Sequence, residues 1–304
     1  MAIPKAARVT LALVVAAGVV VAGSFALSNA LFRQVLTEGC QATVGGVTTR
    51  LTVEEAENAA LISALSVQRG MPARAASIAL ATAYQESGLR NINYGHLDSL
   101  GLFQQRPSQG WGTPEEILDP YYSSGRFYTA LAKVKDYPSL EIAEAAQLVQ
   151  RSADGNAYAQ HETNARTLAS SLTGQSGAAF SCELRPPTAA QADDLRTELL
   201  KAFGTGSSGS PSGPQGIRGR VAAPKTPTPS NDGDAPVVDI PISASTQALG
   251  WSMAQWSVAY AKRFGVVSVS YAGRSWSVDS SKEGWRADPE APSGRVRIVL
   301  ATPQ

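Results

Sequence analysis

Glu86 is the residue of this chain best placed to do acid–base chemistry. It stands in Tyr84-Gln85-Glu86-Ser87-Gly88, just after Ile78, Ala79, Leu80, Ala81 and Ala83, with no other charge in that stretch. A carboxylate in such a setting is desolvated, so its neutral form is favoured and its pKa rises. A carboxylic acid that keeps its proton near neutral pH is what general acid catalysis requires. Downstream lie Gly101-Leu102-Phe103-Gln104-Gln105 and, further on, Ala157-Tyr158-Ala159. Gly101 permits close approach of backbone, while Ser87, Gln104 and Tyr158 offer polar side chains and Phe103 an aromatic face. Asp98 is the nearest candidate for a second carboxylate. Its neighbours Asn93, Gly95 and Ser99 make it a turn-capping residue on the simpler reading. Histidine occurs only at His96 and His161, and no short-spaced cysteine pair exists, so no metal site is legible and no cofactor is expected.

The elements that must position these residues read as helices. Thr52-Val53-Glu54-Glu55 is a capping box opening a helix that carries Ala59, Ile62 and Leu65, and Gly70 stops it. Pro72 suits the first turn of a second helix that runs to Gln85 or Glu86, with Gly88 as its stop. Residues 91–100 are rich in turn formers and read as a loop or short hairpin. Thr113-Pro114-Glu115-Glu116 starts another helix, and helical spacing continues over about 119–135, 140–151 and 157–172.

A second region follows a stretch, 204–236, dominated by Gly, Ser, Thr and Pro, whose composition predicts a tether. One short helical pattern precedes it, with Leu195, Leu199 and Leu200. Beyond it, residues 246–263 read as a helix, and alternation around Val267–Tyr271, Arg274–Val278 and Val296–Leu300 reads as strands. Trp251, Trp256, Trp276 and Trp285 fall here and are read as the core of a small α+β module.

The first forty residues bear on compartment. Lys5 and Arg8 precede an uncharged run, residues 9–32, that Arg33 ends. Spanning a bilayer needs about 20 apolar residues, and the flanking charges place the N-terminus in the cytoplasm. A signal anchor is expected, with a signal peptide cleaved near Ser28-Asn29-Ala30 as the alternative. The bulk of the chain would then be extracytoplasmic, tethered to the cell membrane by one pass. In an exported protein the two cysteines, Cys40 and Cys182, read as a disulfide. With net charge +1, 17% charged residues and no basic block, nucleic acid is not an expected partner.

Glu86-Ser87 at the end of an apolar helix, followed by Gly101-Leu102-Phe103-Gln104 and a helical tail, resembles the lysozyme-like lytic transglycosylases of the goose-type lysozyme superfamily, as found in membrane-anchored exported actinobacterial proteins. The likeness spans about 51–172. It implies a mainly α lysozyme-like domain over 36–185, between an N-terminal transmembrane helix (1–35) and a short helix with linker (186–236), with the α+β module at 237–304. It further implies cleavage of peptidoglycan glycan strands with Glu86 as acid/base, and substrate contacts from Ser87, Gln104, Tyr158, Gly101 and Phe103. A lytic transglycosylase would leave 1,6-anhydro ends; a muramidase would use water. The chain lacks the Asn and Gly that usually follow the family tyrosine. The alternative it leaves open is a catalytically inactive wall-binding or envelope-assembly protein. Peptidoglycan, the membrane and an envelope protein docked on the C-terminal module are the partners so implied.

Overall fold

Gly45 and Gly46 turn the chain at its first described feature, with φ of +57° and +82°. Two successive positive φ values are what a tight hairpin with right-twisted strands needs. They join β1 (Gly39–Val44) to β2 (Val47–Leu51) in antiparallel register, Cys40 opposite Leu51. A third strand, β3 (Phe180–Glu183), returns to the other edge of β1 and sets Cys182 directly opposite Cys40. The pair is bonded. The computed structural model describes residues 38–150, 157–204 and 235–302. The chain divides into two units after Glu38, and every described helix and strand belongs to the unit Gly39–Gln304.

The hairpin delivers the chain into α1 (Val53–Gln68), capped by Thr52 and Glu55, whose side chains each bond the other's backbone N–H. Every residue from Ala56 to Ser66 is buried, so α1 runs through the core rather than over it. Next comes α2 (Ala73–Ser87), buried without interruption from Ala75 to Ala83. Its alanines let neighbours come close, and α5 (Ile142–Gln150) and α6 (Glu162–Leu172) pack on it. Between them, α3 (Pro114–Leu118) and α4 (Pro120–Leu131) begin at Pro, as Thr113 and Asp119 cap them.

After β3, α7 (Ala192–Phe203) lies against α1. The second sheet is formed by β4 (Val237–Pro241), β5 (Val266–Tyr271), β6 (Arg274–Ser277), β7 (Arg286–Ala287) and β8 (Arg295–Leu300). All pairings are antiparallel, in the order β4-β8-β5-β6-β7. One face is covered by α8 (Gln247–Ala259), which α9 (Ala261–Phe264) extends after a break at Tyr260.

The two halves share a core. α8 packs on α1, α6 and β3 as well as on its own sheet. Its fully buried Gln255 accepts from the N–H groups of Ala179 and Phe180, both at 2.8 Å, and donates to the carbonyls of Ser171 and Ser176. The indoles of Trp276 and Trp285 donate to the carbonyls of Cys182 (3.1 Å) and Phe180 (2.7 Å). Those carbonyls lie two residues apart on the edge strand β3, so the tryptophans occupy acceptors that an open edge would present.

Two expectations are corrected by this architecture. The mainly α lysozyme-like fold gives way to a mixed α/β arrangement with sheets of three and five strands. Residues 39–51 and 180–183 are strands because Thr and Val alternate around a Gly-Gly turn, and because the cysteine pair zips β1 to β3. The transmembrane helix also falls away: among the described residues no helix is long and apolar enough to cross a membrane. The run at 9–32 on which that expectation rested lies outside them, as does most of the tether, residues 205–234. A single-pass position in the cell membrane, with the bulk extracytoplasmic, and the membrane as a partner are not retained.

Candidate functional site

The last turn of α2 presents Glu86, and the way that helix ends fixes where the carboxyl points. Gly88 adopts a left-handed φ of +64°, and the Leu89 N–H reaches back to the Ala83 carbonyl at 3.1 Å. The reversal is the glycine-assisted stop common at helix C-termini. Ser87 strengthens it from inside: its hydroxyl lies 2.8 Å from the Leu102 carbonyl and 3.1 Å from that of Ala83. Helix end and following loop are thereby tied together.

Glu86 itself is half-buried. The Tyr158 hydroxyl donates to its Oε1 at 2.8 Å, and Gln150 also hydrogen-bonds its carboxyl. Burial pushes the Glu86 pKa above the ordinary glutamate value, while the bonds from Tyr158 and Gln150 pull the other way without cancelling it. The helix C-terminus, with its partial negative charge, disfavours the carboxylate too. Gln150 has a second task, donating to the Phe103 carbonyl at 2.7 Å. The amide therefore spans from the loop to the carboxyl.

Around this centre the structure sorts the expected residues. Tyr158 is buried and meets Glu86 directly. Phe103 is buried and stacks on Phe127, centroids 4.6 Å apart, so its backbone rather than its ring faces Gln150. Gly101, at φ +74°, sits where a Cβ would come within 2.8 Å of the Ile117 carbonyl. Gln104, at φ +46°, folds its amide onto its own loop, donating toward the carbonyls of Tyr94 (3.2 Å) and Gly101 (3.3 Å). Asp98 holds the same loop: it accepts from Arg106 Nε at 2.6 Å and from the Ser108 N–H at 2.8 Å. The Arg106 bond, then that of Ser108, keep its carboxyl well below the usual carboxylate range. No second carboxylate is hydrogen-bonded to Glu86 among the described residues.

Two features escaped the sequence. Gln150 stands at the end of a helix 64 residues beyond Glu86 with no role assigned to it from the sequence, and only the fold makes it a neighbour. Gln85, next to Glu86, is the other: its Oε1 accepts from Gln160 Nε2 at 3.1 Å and lies 3.0 Å from His161 Nε2. The His161 ring stacks on Tyr84 with an interplanar angle of 6°, and burial pushes its pKa below the ordinary histidine value. A neutral imidazole protonated on Nε2 satisfies this geometry. Metal-binding chemistry finds no foothold among the described residues, where no group of three or more His, Cys, Asp or Glu could hold an ion.

Comparison with known proteins points elsewhere than the glycan-cleaving enzymes. The family that matches is described as VldE, C-terminal domain, over residues 215–294. That is less than half of the chain and lies wholly outside the region, 51–172, on which the lysozyme-like resemblance rested. No curated protein matches the chain. The identification with lysozyme-like lytic transglycosylases is thus overturned. With it go the cleavage of peptidoglycan strands by a transglycosylase or muramidase, the inactive wall-binding alternative, and peptidoglycan and envelope proteins as partners. The disulfide between Cys40 and Cys182 is consistent with the structure.

Proposed function

We propose that the Glu86 site is a proton-transfer centre acting on a small neutral molecule, with Glu86 as the group that gives and takes the proton. The observation that supports this most is the pairing of a partly desolvated carboxyl with a fixed donor, the Tyr158 hydroxyl at 2.8 Å from Oε1. Desolvation raises the proton affinity, and the bonds from Tyr158 and Gln150 hold the carboxyl in one orientation, as positioned acid–base groups require. Ser87, Gly101, Phe103 and Gln104 would serve by fixing the loop against which a ligand lies.

Two measurements test the reading. Infrared difference titration, wild type minus Glu86→Gln, isolates the Glu86 carboxyl band. The band should remain protonated above the ordinary glutamate range, and Tyr158→Phe should move its titration further up, because one stabilising bond to the carboxylate is lost. The base-catalysed elimination of 5-nitrobenzisoxazole reports the second half of the proton cycle. A desolvated carboxylate removes the C3 proton as the N–O bond breaks to give the cyanophenolate. The wild type should exceed Glu86→Gln in this reaction. A carboxyl that ionises in the ordinary range, or equal rates for the two proteins, would sink the proposal.

A further inference from the structure

Beyond the Glu86 carboxyl, a cavity of about 340 Å³ opens between α4, α5 and the loop before α3. Cavities that hold small molecules usually run from about 300 to 1,000 Å³. One part of this wall is apolar: Trp111, Val134 and Leu148 line it, and Leu148 is 53% exposed, one of few large hydrophobic side chains left open to solvent. Another part is cationic. Arg126 and Lys133 both line the cavity, and no carboxylate is among the described residues that line it. The Arg126 guanidinium is held in place by its bond to the Gly110 carbonyl at 3.0 Å, which leaves its other N–H groups for a ligand.

We propose that this cavity binds a small organic anion with an apolar, ring-sized body. Its charge is held by Arg126 and Lys133 and its body lies against Trp111, Val134 and Leu148. The two kinds of wall each exclude an alternative. An inorganic anion would leave the apolar wall wet, and a neutral hydrocarbon would make no use of the two cations. An anion with a ring body satisfies both. The charge-assisted bonds supply orientation, and the indole offers a face or edge to the ring.

The test uses the full chain and a matched pair of probes, 8-anilinonaphthalene-1-sulfonate and its neutral counterpart N-phenyl-1-naphthylamine. Fluorescence titration should show one saturable sulfonate site per chain. Trp111→Phe should reduce energy transfer from indole to the bound probe. The double variant Arg126→Gln/Lys133→Gln should weaken sulfonate binding by about tenfold or more, as loss of a charge-assisted bond predicts. The neutral probe's affinity should change by less than about twofold in the same protein. Both substituted side chains are exposed, so an unaltered circular dichroism spectrum and melting curve will verify the fold. Leu148→Asp should weaken both probes. Non-saturable binding at many sites, unchanged sulfonate affinity in the double variant, or an equal loss for both probes would each overturn the assignment.

Discussion

At the scale of the residue, Glu86 makes stability depend on pH in a direction opposite to most carboxylates. Its pKa is raised in the folded protein, chiefly by burial, so the folded chain binds that proton more tightly than the unfolded one. The contribution is complete below the ordinary glutamate range and is lost as pH climbs through the raised folded value. Glu86→Gln removes the titration. The wild type should therefore lose stability relative to the variant as pH rises from acid to neutral, measured as the difference in urea midpoints across a pH series. A difference that stays flat, or grows in the other sense, would show that Glu86 is not held in a desolvated state. Asp98 behaves in the reverse sense. Its depressed pKa, set first by Arg106, supports the loop above the ordinary aspartate range and releases it as pH falls.

At the scale of the element, α8 is tied to the rest of the chain through the Ser252 hydroxyl, which donates to the Leu172 carbonyl at 2.6 Å, and above all through one amide. Gln255 occupies two N–H groups and two carbonyls at once, with no exposure. Gln255→Leu would take this partner from the N–H groups of Ala179 and Phe180 and from the Ser176 carbonyl, while the Ser171 carbonyl keeps the Gly174 N–H at 2.9 Å; a buried polar group left unpaired costs about 1–3 kcal/mol. Partial relaxation brings the expected loss to about 3 kcal/mol or more, readable as a lowered urea midpoint with the spectrum of the folded protein intact. Loss of under about 0.5 kcal/mol would mean that these groups find other partners. The elements themselves are unequally visible in the sequence. The capping box at Thr52 and the Gly88 stop announce α1 and α2 because both signals are local. The hairpin at Gly45-Gly46 is equally local, flanked by Thr and Val, yet the family resemblance implies a mainly α domain. β3 is four residues long and becomes a strand only because β1 waits for it. The site divides the same way. Glu86 is legible from the apolar run before it, whereas Gln150 reaches it through the packing of α5 on α2, which no short-range pattern encodes. Tyr158 is marked in the sequence only by the family resemblance, and gains its meaning from the 2.8 Å contact.

At the scale of the whole molecule, the segment 237–302 is held by more than its peptide link. Trp276, Trp285 and Gln255 reach across to β3 and the end of α6, and Arg263 pairs with Glu57 of α1. A protease site inserted within 205–234 and then cut should yield two fragments that still travel together in gel filtration under native conditions and separate in denaturant. Fragments that part on cutting would mean that the shared core is too weak to survive without the covalent link.

The bond between Cys40 and Cys182 also decides how the molecule would bear tension. The cysteines are 142 positions apart in sequence yet opposite one another on adjacent strands. A pull applied to the two ends enters at β1, crosses the sulfur bridge and leaves by β3. Everything between the cysteines, Glu86, Tyr158, Gln150 and the cavity included, hangs as a closed ring outside the path of the load. In single-molecule stretching the oxidised chain should extend without releasing that ring. Reduction should then free roughly 500 Å of additional length, at about 3.6 Å per extended residue.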